Sequence, residues 1–188
     1  MNTENLTGIV LCGGKSKRMG FDKGLVPYKN KALVSHAIHS IEVYCSEILL
    51  SANIDTYNSF GYKTIEDHYK NIGPLGGIHA ALSASQTSQN LITACDIPFI
   101  DKETLEKIKI EASRVQHVLL KLRTGFFQPF PVVLSKNILP LIEFQVKKKN
   151  FKLQELYTLI EQQMGKDVSI FVIENAPKNV NTRDDLLP

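Results

Sequence analysis

Apolar positions along this chain fall into two rhythms. Short unbroken apolar runs over residues 8–12, 48–52 and 91–95 end in glycine, asparagine or an Asp-Ile-Pro stop, which is the pattern of buried strands. Between them Leu33, Ala37, Ile41 and Tyr44 recur at helical spacing, and a Gly-Pro pair at Gly73 and Pro74 opens a second helical stretch. A shorter strand is predicted over residues 63–66, and a helix carrying residues 104–110 has Asp101 as its N-cap. The stretches QHVLLKLR and PFPVVLS predict a strand pair, or a strand with a bent partner. Helices over 136–146 and 153–163, a last strand over 168–174 and a short helix capped by Thr182 complete the chain. Pro131 within PFPVVLS removes a ladder donor and points to an edge strand or a bulge.

Strands that are apolar throughout and alternate with amphipathic helices imply an α/β fold with a mostly parallel sheet covered by helices on both faces, doubly wound and Rossmann-like. At 188 residues the chain suits one domain, 1–188, with 1–7 as a short polar tail. The candidate boundary at residues 146–151 is followed at once by renewed apolar patterning. Composition changes this picture little. The net charge of +3 is too mild for a nucleic-acid binder but suits a small anionic ligand. No apolar run approaches the ~20 residues of a membrane span. Cys12, Cys45 and Cys95 are an odd set without CxxC spacing, which argues for a reducing, cytoplasmic setting rather than a disulfide framework.

The candidate chemistry begins at GGKSKRMGFDK, residues 13–23. In an open parallel sheet ligands collect beyond the carboxyl ends of the strands, and Gly13 and Gly14 follow the first one. Glycines there bring backbone N–H groups close to a phosphate chain, and Lys15, Lys17, Arg18 and Lys23 supply cations. Neither GxxxxGK[ST] nor GxGxxG is present. A plain strand-to-helix turn with solvated lysines is the bland alternative. Asp96 follows an apolar strand and precedes Pro98, so it reads as a magnesium ligand or a turn cap. His36 and His39 share a helical face but lack partners for a zinc set. Cys95 reads better as a small core residue than as a nucleophile, and Lys147, Lys148 and Lys149 read as a solvated loop.

The segment Leu11–Lys23 resembles the LxGGxSxRMGxDK signature of molybdenum cofactor guanylyltransferases, within the nucleotidyltransferase-like superfamily. Further matches are Gly73-Pro74-Leu75-Gly76-Gly77-Ile78, Cys95-Asp96-Ile97-Pro98 and Asn179-Val180-Asn181-Thr182. The resemblance implies transfer of GMP from GTP to the phosphate of molybdopterin, with Mg²⁺ and release of pyrophosphate. It implies that Leu11, Cys12, Gly13 and Gly14 wrap the nucleotide and that Arg18 and Lys23 meet its phosphates. Asn53 and Asp67 would hold the nucleoside, Asp96 the metal, and Gly73, Gly77, Asn179 and Asn181 would lie near the pterin. It also implies other cofactor-biosynthesis proteins as partners. Taken from the residues alone, Asn53 and Asp67 are turn residues, Asn179 and Asn181 suit Asx-turns, and Gly76 and Gly77 suit close helix–sheet packing. Cys12 stands where the family usually has alanine, and Arg183 where it often has proline. A related nucleotidyltransferase using CTP or a sugar phosphate, or a non-catalytic nucleotide- or pterin-binding protein, would share much of this pattern.

Overall fold

The computed structural model describes residues 6–13, 22–180 and 185. The short helix expected at Thr182 lies outside them. Among the described residues, nine strands and five α-helices follow in chain order. β1 (Leu6–Leu11) leads by way of a small antiparallel ribbon, β2 (Pro27–Tyr28) and β3 (Lys31–Ala32), into α1 (Leu33–Ile41). Then come β4 (Glu47–Ser51), β5 (Lys63–Ile65), α2 (Pro74–Ala84), β6 (Gln89–Ala94) and α3 (Lys102–Ala112). The remainder is β7 (His117–Leu122), β8 (Phe127–Ser135), α4 (Leu139–Lys147), α5 (Leu153–Met164) and β9 (Val168–Ile173).

Seven strands form one sheet in the order β5-β4-β1-β6-β8-β7-β9, and the two short strands form the ribbon. Every pair in the large sheet is parallel except those made by β8, which runs antiparallel to both β6 and β7. β1 starts at Leu6, two residues before the expected Gly8. Thr7, placed in the polar tail by its sequence, is buried, and its hydroxyl accepts from those of Ser85 and Thr87 at 3.1 and 2.9 Å. A local polar network therefore extends the strand beyond its apolar run.

Helices cover both faces, as the unbroken apolar strands require. A side chain at Gly8 would collide with Ile48 and press on Ile41 of α1, whereas Leu11, of opposite parity on β1, approaches Gly77 of α2. Tyr44, which follows α1 in a 3₁₀ turn rather than in the α-helix itself, donates to Glu106 of α3 at 3.1 Å and joins the two helices of one face. Asp101 caps α3 as expected, accepting from the Thr104 N–H and hydroxyl at 2.7 Å each. These bonds outweigh partial burial and hold its carboxyl below the usual range.

Pro131 does not mark an edge. β8 is an interior strand, and the proline sits where its pairing with β7 slips, from Val118↔Val133 to Leu120↔Gln128. The bulge half of the expectation is what the chain uses, since a residue without an N–H fits where the ladder is interrupted.

Candidate functional site

β1, β4 and β6 end together, and their carboxyl ends form the floor of the site. The Cys12 N–H donates to the Ser51 carbonyl at 2.7 Å, and the Cys95 N–H to the Leu11 carbonyl at 3.0 Å. The backbone of Leu11 and Cys12 is thus tied into the sheet, and Gly13 is the first residue of the segment beyond it. Gly13 has φ +93, a conformation that side chains rarely tolerate and that its lack of a Cβ allows. Gly14 and Arg18 lie outside the described residues, as does Asn181.

The chain returns at Asp22. Its Oδ1 caps the turn that follows, accepting the Gly24 N–H at 3.0 Å, and also accepts the Tyr57 hydroxyl at 2.5 Å. Tyr57 is fully buried, and burial pushes its phenol well up, so it stays a donor to the carboxylate. A side chain on Gly24 would overlap Tyr57 and press on the Cys95 sulfur at 3.1 Å. This packing orients the next group that matters: Lys23 Nζ lies 3.7 Å from Asp96 Oδ2, both side chains about a quarter exposed. A pair this open contributes little stability by itself. Its use is to hold one cation and one anion at the top of β6.

Asp96 lies two residues beyond the end of β6. The Ile97 N–H donates back to the Ala94 carbonyl at 3.0 Å, closing a tight turn, and the Val180 N–H donates to the Asp96 carbonyl at 2.7 Å. The backbone therefore makes the turn while the carboxylate remains beside a cleft of about 570 Å³. Pro74, Gln128, Phe130, Leu153 and Asn179 line that cleft with Asp96.

On the other side of β1, Asn53 Oδ1 accepts the Asp67 N–H at 3.1 Å and the Lys70 ammonium at 2.9 Å. Asn53 and Asp67 thus meet, in a contact that serves the turn. Gly77 is seated against Ser51, Leu11 and Asp67, with room for no side chain, and Gly76 sits equally close to the Tyr69 carbonyl. Gly73 is the N-cap of α2 with φ +69. Close packing of α2 accounts for both Gly76 and Gly77, and Pro74 rather than either glycine reaches the cleft.

Other candidates fall elsewhere. His36 meets the Tyr28 carbonyl at 2.9 Å and His39 meets Glu42 at 2.7 Å. His79 packs on Tyr69 and His68 and lies 3.6 Å from Glu143. Lys147 closes α4, and the following Lys148 and Lys149 turn the chain with N–H bonds to Phe144 and Val146 carbonyls. None of these lines the cleft. Cys12 and Cys95 are both buried. Burial, and then the neighbouring Cys95 thiol, holds the Cys12 thiol well above its ordinary range, as befits a packing residue.

Among the described residues no group of three or more His, Cys, Asp or Glu side chains could hold a metal. Magnesium does not need one. It takes one or two carboxylates and completes its shell with water and substrate phosphate, and a partly exposed Asp96 at the mouth of an open cleft fits that donor set.

The MobA-like NTP transferase domain matches residues 8–166. The chain belongs to the MobA-like NTP transferase family. A relative from Flavobacterium johnsoniae named "Probable molybdenum cofactor guanylyltransferase" is 34% identical over 97% of this chain and 95% of its own. One from Polynucleobacter asymbioticus named "Molybdenum cofactor guanylyltransferase" is 29% identical over 99% and 96%. Among solved structures, molybdopterin-guanine dinucleotide biosynthesis protein A from Archaeoglobus fulgidus superposes with TM-score 0.71 at 21% identity, covering 96% and 95% of the two chains. A 4-diphosphocytidyl-2C-methyl-D-erythritol synthase from Anaerococcus prevotii reaches 0.74 at 13% identity over 98% and 96%. At such identities these two likenesses show the fold of this NTP transferase and leave its base and acceptor open.

Three contributors were not read as site residues from sequence. Asp22 stands inside the opening motif but was given no task. Tyr57 lies in an unremarkable polar stretch with nothing to flag it, and Gln128 precedes the doubled proline that drew attention to its segment.

Proposed function

We propose that this NTP transferase moves GMP from GTP to the phosphate of molybdopterin, releasing pyrophosphate, with Mg²⁺ as its metal. The observation that carries the reading is the place of Asp96 beyond the end of β6, in the middle of the row of strand ends. The Asn53–Asp67 contact and Gly13 lie on one side, and the cleft holding Asn179 lies on the other. The relatives named as guanylyltransferases, matched over nearly their whole length, support the choice of GTP and of a molybdenum-cofactor acceptor.

The acceptor is a phosphate monoester, mostly dianionic near neutral pH because its second pKa is about 6. It needs no strong base. It must instead be brought in line with the α-phosphorus of a second anion, so catalysis lies in positioning and charge neutralisation. Lys23, its backbone set by the Asp22 cap, carries a cation to the phosphates and at rest holds Asp96 in place. Arg18 would share that task by its place in the motif. Asp96, and water, would hold magnesium, which supplies charge neutralisation and phosphate alignment when bound. Gly13 lets the backbone approach the nucleotide, and Asn53 and Asp67 hold the nucleoside.

The test is nucleotide choice by the wild-type chain. Purified protein with Mg²⁺ should show a thermal shift with GTP that CTP does not match, and should convert radiolabelled GTP and molybdopterin to a dinucleotide plus pyrophosphate. A shift and transfer with CTP alone would contradict the proposal.

A further inference from the structure

The cleft beside Asp96 has one buried amide in an otherwise apolar wall. Gln128 is only 6% exposed, yet it lines the cleft with Phe130, Leu153 and Pro177. Its Nε2 donates to the Phe130 carbonyl at 3.0 Å. Among the described residues it makes no other side-chain hydrogen bond, so a second N–H and the amide oxygen remain for a partner. A buried amide with spare capacity is costly unless something in the cleft uses it.

The wall that carries Gln128 is clamped from behind. The Phe127 N–H donates to Gln154 Oε1 at 2.9 Å, Gln154 Nε2 donates to the Phe127 carbonyl at 2.6 Å, and the Tyr157 hydroxyl donates to the Pro129 carbonyl at 2.7 Å. Three bonds from the first turns of α5 therefore fix Phe127 and Pro129 on either side of Gln128, which pairs with Leu120 where the slip between β7 and β8 begins. Bulges beside active sites commonly re-aim a side chain in this way. Recognition residues held by such supporting bonds lose little freedom on binding.

We propose that Gln128 is the specificity-determining residue for the acceptor's ring: its carboxamide pairs with an adjoining N–H and C=O edge of a flat heterocycle lying along the Phe130 wall, while the phosphate end reaches Asp96. This rests on the guanylyl-transfer reading and names the part of the acceptor, its pterin ring, that the chain recognises. The cleft volume of about 570 Å³ accommodates a bicyclic ring with its side chain.

Gln128→Met keeps the length of the side chain and removes the amide. The expected result is a rise of about 10-fold or more in the acceptor KM, the scale of losing a buried hydrogen-bonding pair, with the GTP KM and GTP thermal shift unchanged. A pterin without phosphate, 6-hydroxymethylpterin, should inhibit the wild type competitively against the acceptor and inhibit the Met variant at least several-fold more weakly. A role in packing alone would not move that inhibition. Should the Met variant melt early, Gln128→Asn, which keeps an amide in the wall, should stay folded and retain part of the pterin inhibition. Unchanged acceptor KM and unchanged pterin inhibition in a variant that still transfers GMP would overturn the assignment of Gln128 alone. A wild type that binds GTP and transfers nothing to molybdopterin would overturn the guanylyl-transfer reading and this inference with it.

Discussion

On the β4–β5 side of Asp96, Asn53, Asp67 and Lys70 satisfy one another through bonds of 2.9 and 3.1 Å in the open. On the β8–α5 side, Gln128 and Phe130 stand in a buried wall held by the side chains of Gln154 and Tyr157. The first region is polar and exposed, so a nucleoside binding there must exchange existing hydrogen bonds for its own, a near-even trade in water. The second is apolar and already shaped, so a flat ring gains from leaving water and meets few groups that must rearrange. The difference teaches that selectivity at the two ends has different sources. On the proposed reading, it would depend on several small polar contacts at the nucleoside end and on one amide in a rigid wall at the acceptor end.

Two perturbations sharpen that contrast. Tyr57→Phe removes the 2.5 Å bond to Asp22 and leaves its carboxylate, among the described residues, with the Gly24 N–H as its hydrogen-bond donor at the cap of the turn that carries Lys23. A hydrogen bond to a charged group contributes about 1.5–3 kcal/mol, so the GTP KM should rise roughly 10-fold while the acceptor KM stays within about twofold. Steady-state kinetics with each substrate varied in turn would show it, and an equal rise in both constants would break the separation of the two ends.

The smaller contrast is expected from acid. His117 begins β7, at the opposite end of the strands from the carboxyl ends that floor the site. It is buried, its Nδ1 accepts the Ser135 N–H at 3.2 Å, and burial, partly offset by Asn137 and Asp167, lowers its pKa to about 4. The folded ring stays neutral where the unfolded one, at about 6.5, takes up a proton. Stability is therefore whole above about pH 6.5 and falls as pH drops toward 4, by up to about 3 kcal/mol. Urea melts across this range should show the loss.

Much of this was legible in the chain. The apolar runs gave the parallel strands because burial on both faces leaves no polar alternation, and Gly13 announced its turn because so few residues tolerate its backbone. Asp96 was legible from a strand followed by a proline stop. Gly76 and Gly77 were legible only as alternatives, since close packing and ligand contact ask for the same residue. Tyr57 was not legible at all: its role depends on Asp22, 35 positions away in sequence, and no local rhythm marks such a contact. Gln128 was hidden for a related reason. The slip between β7 and β8, visible beforehand only as an awkward proline, is what turns its neighbourhood into a wall.

The central claim is that Asp96 serves both ends at once, and the most direct measurement is pyrophosphate release from GTP and molybdopterin by wild type and Asp96→Asn at saturating Mg²⁺. The account predicts a loss of about 100-fold or more in turnover, with the melting temperature of the free protein little changed. A folded Asp96→Asn protein that turns over at the wild-type rate would contradict it.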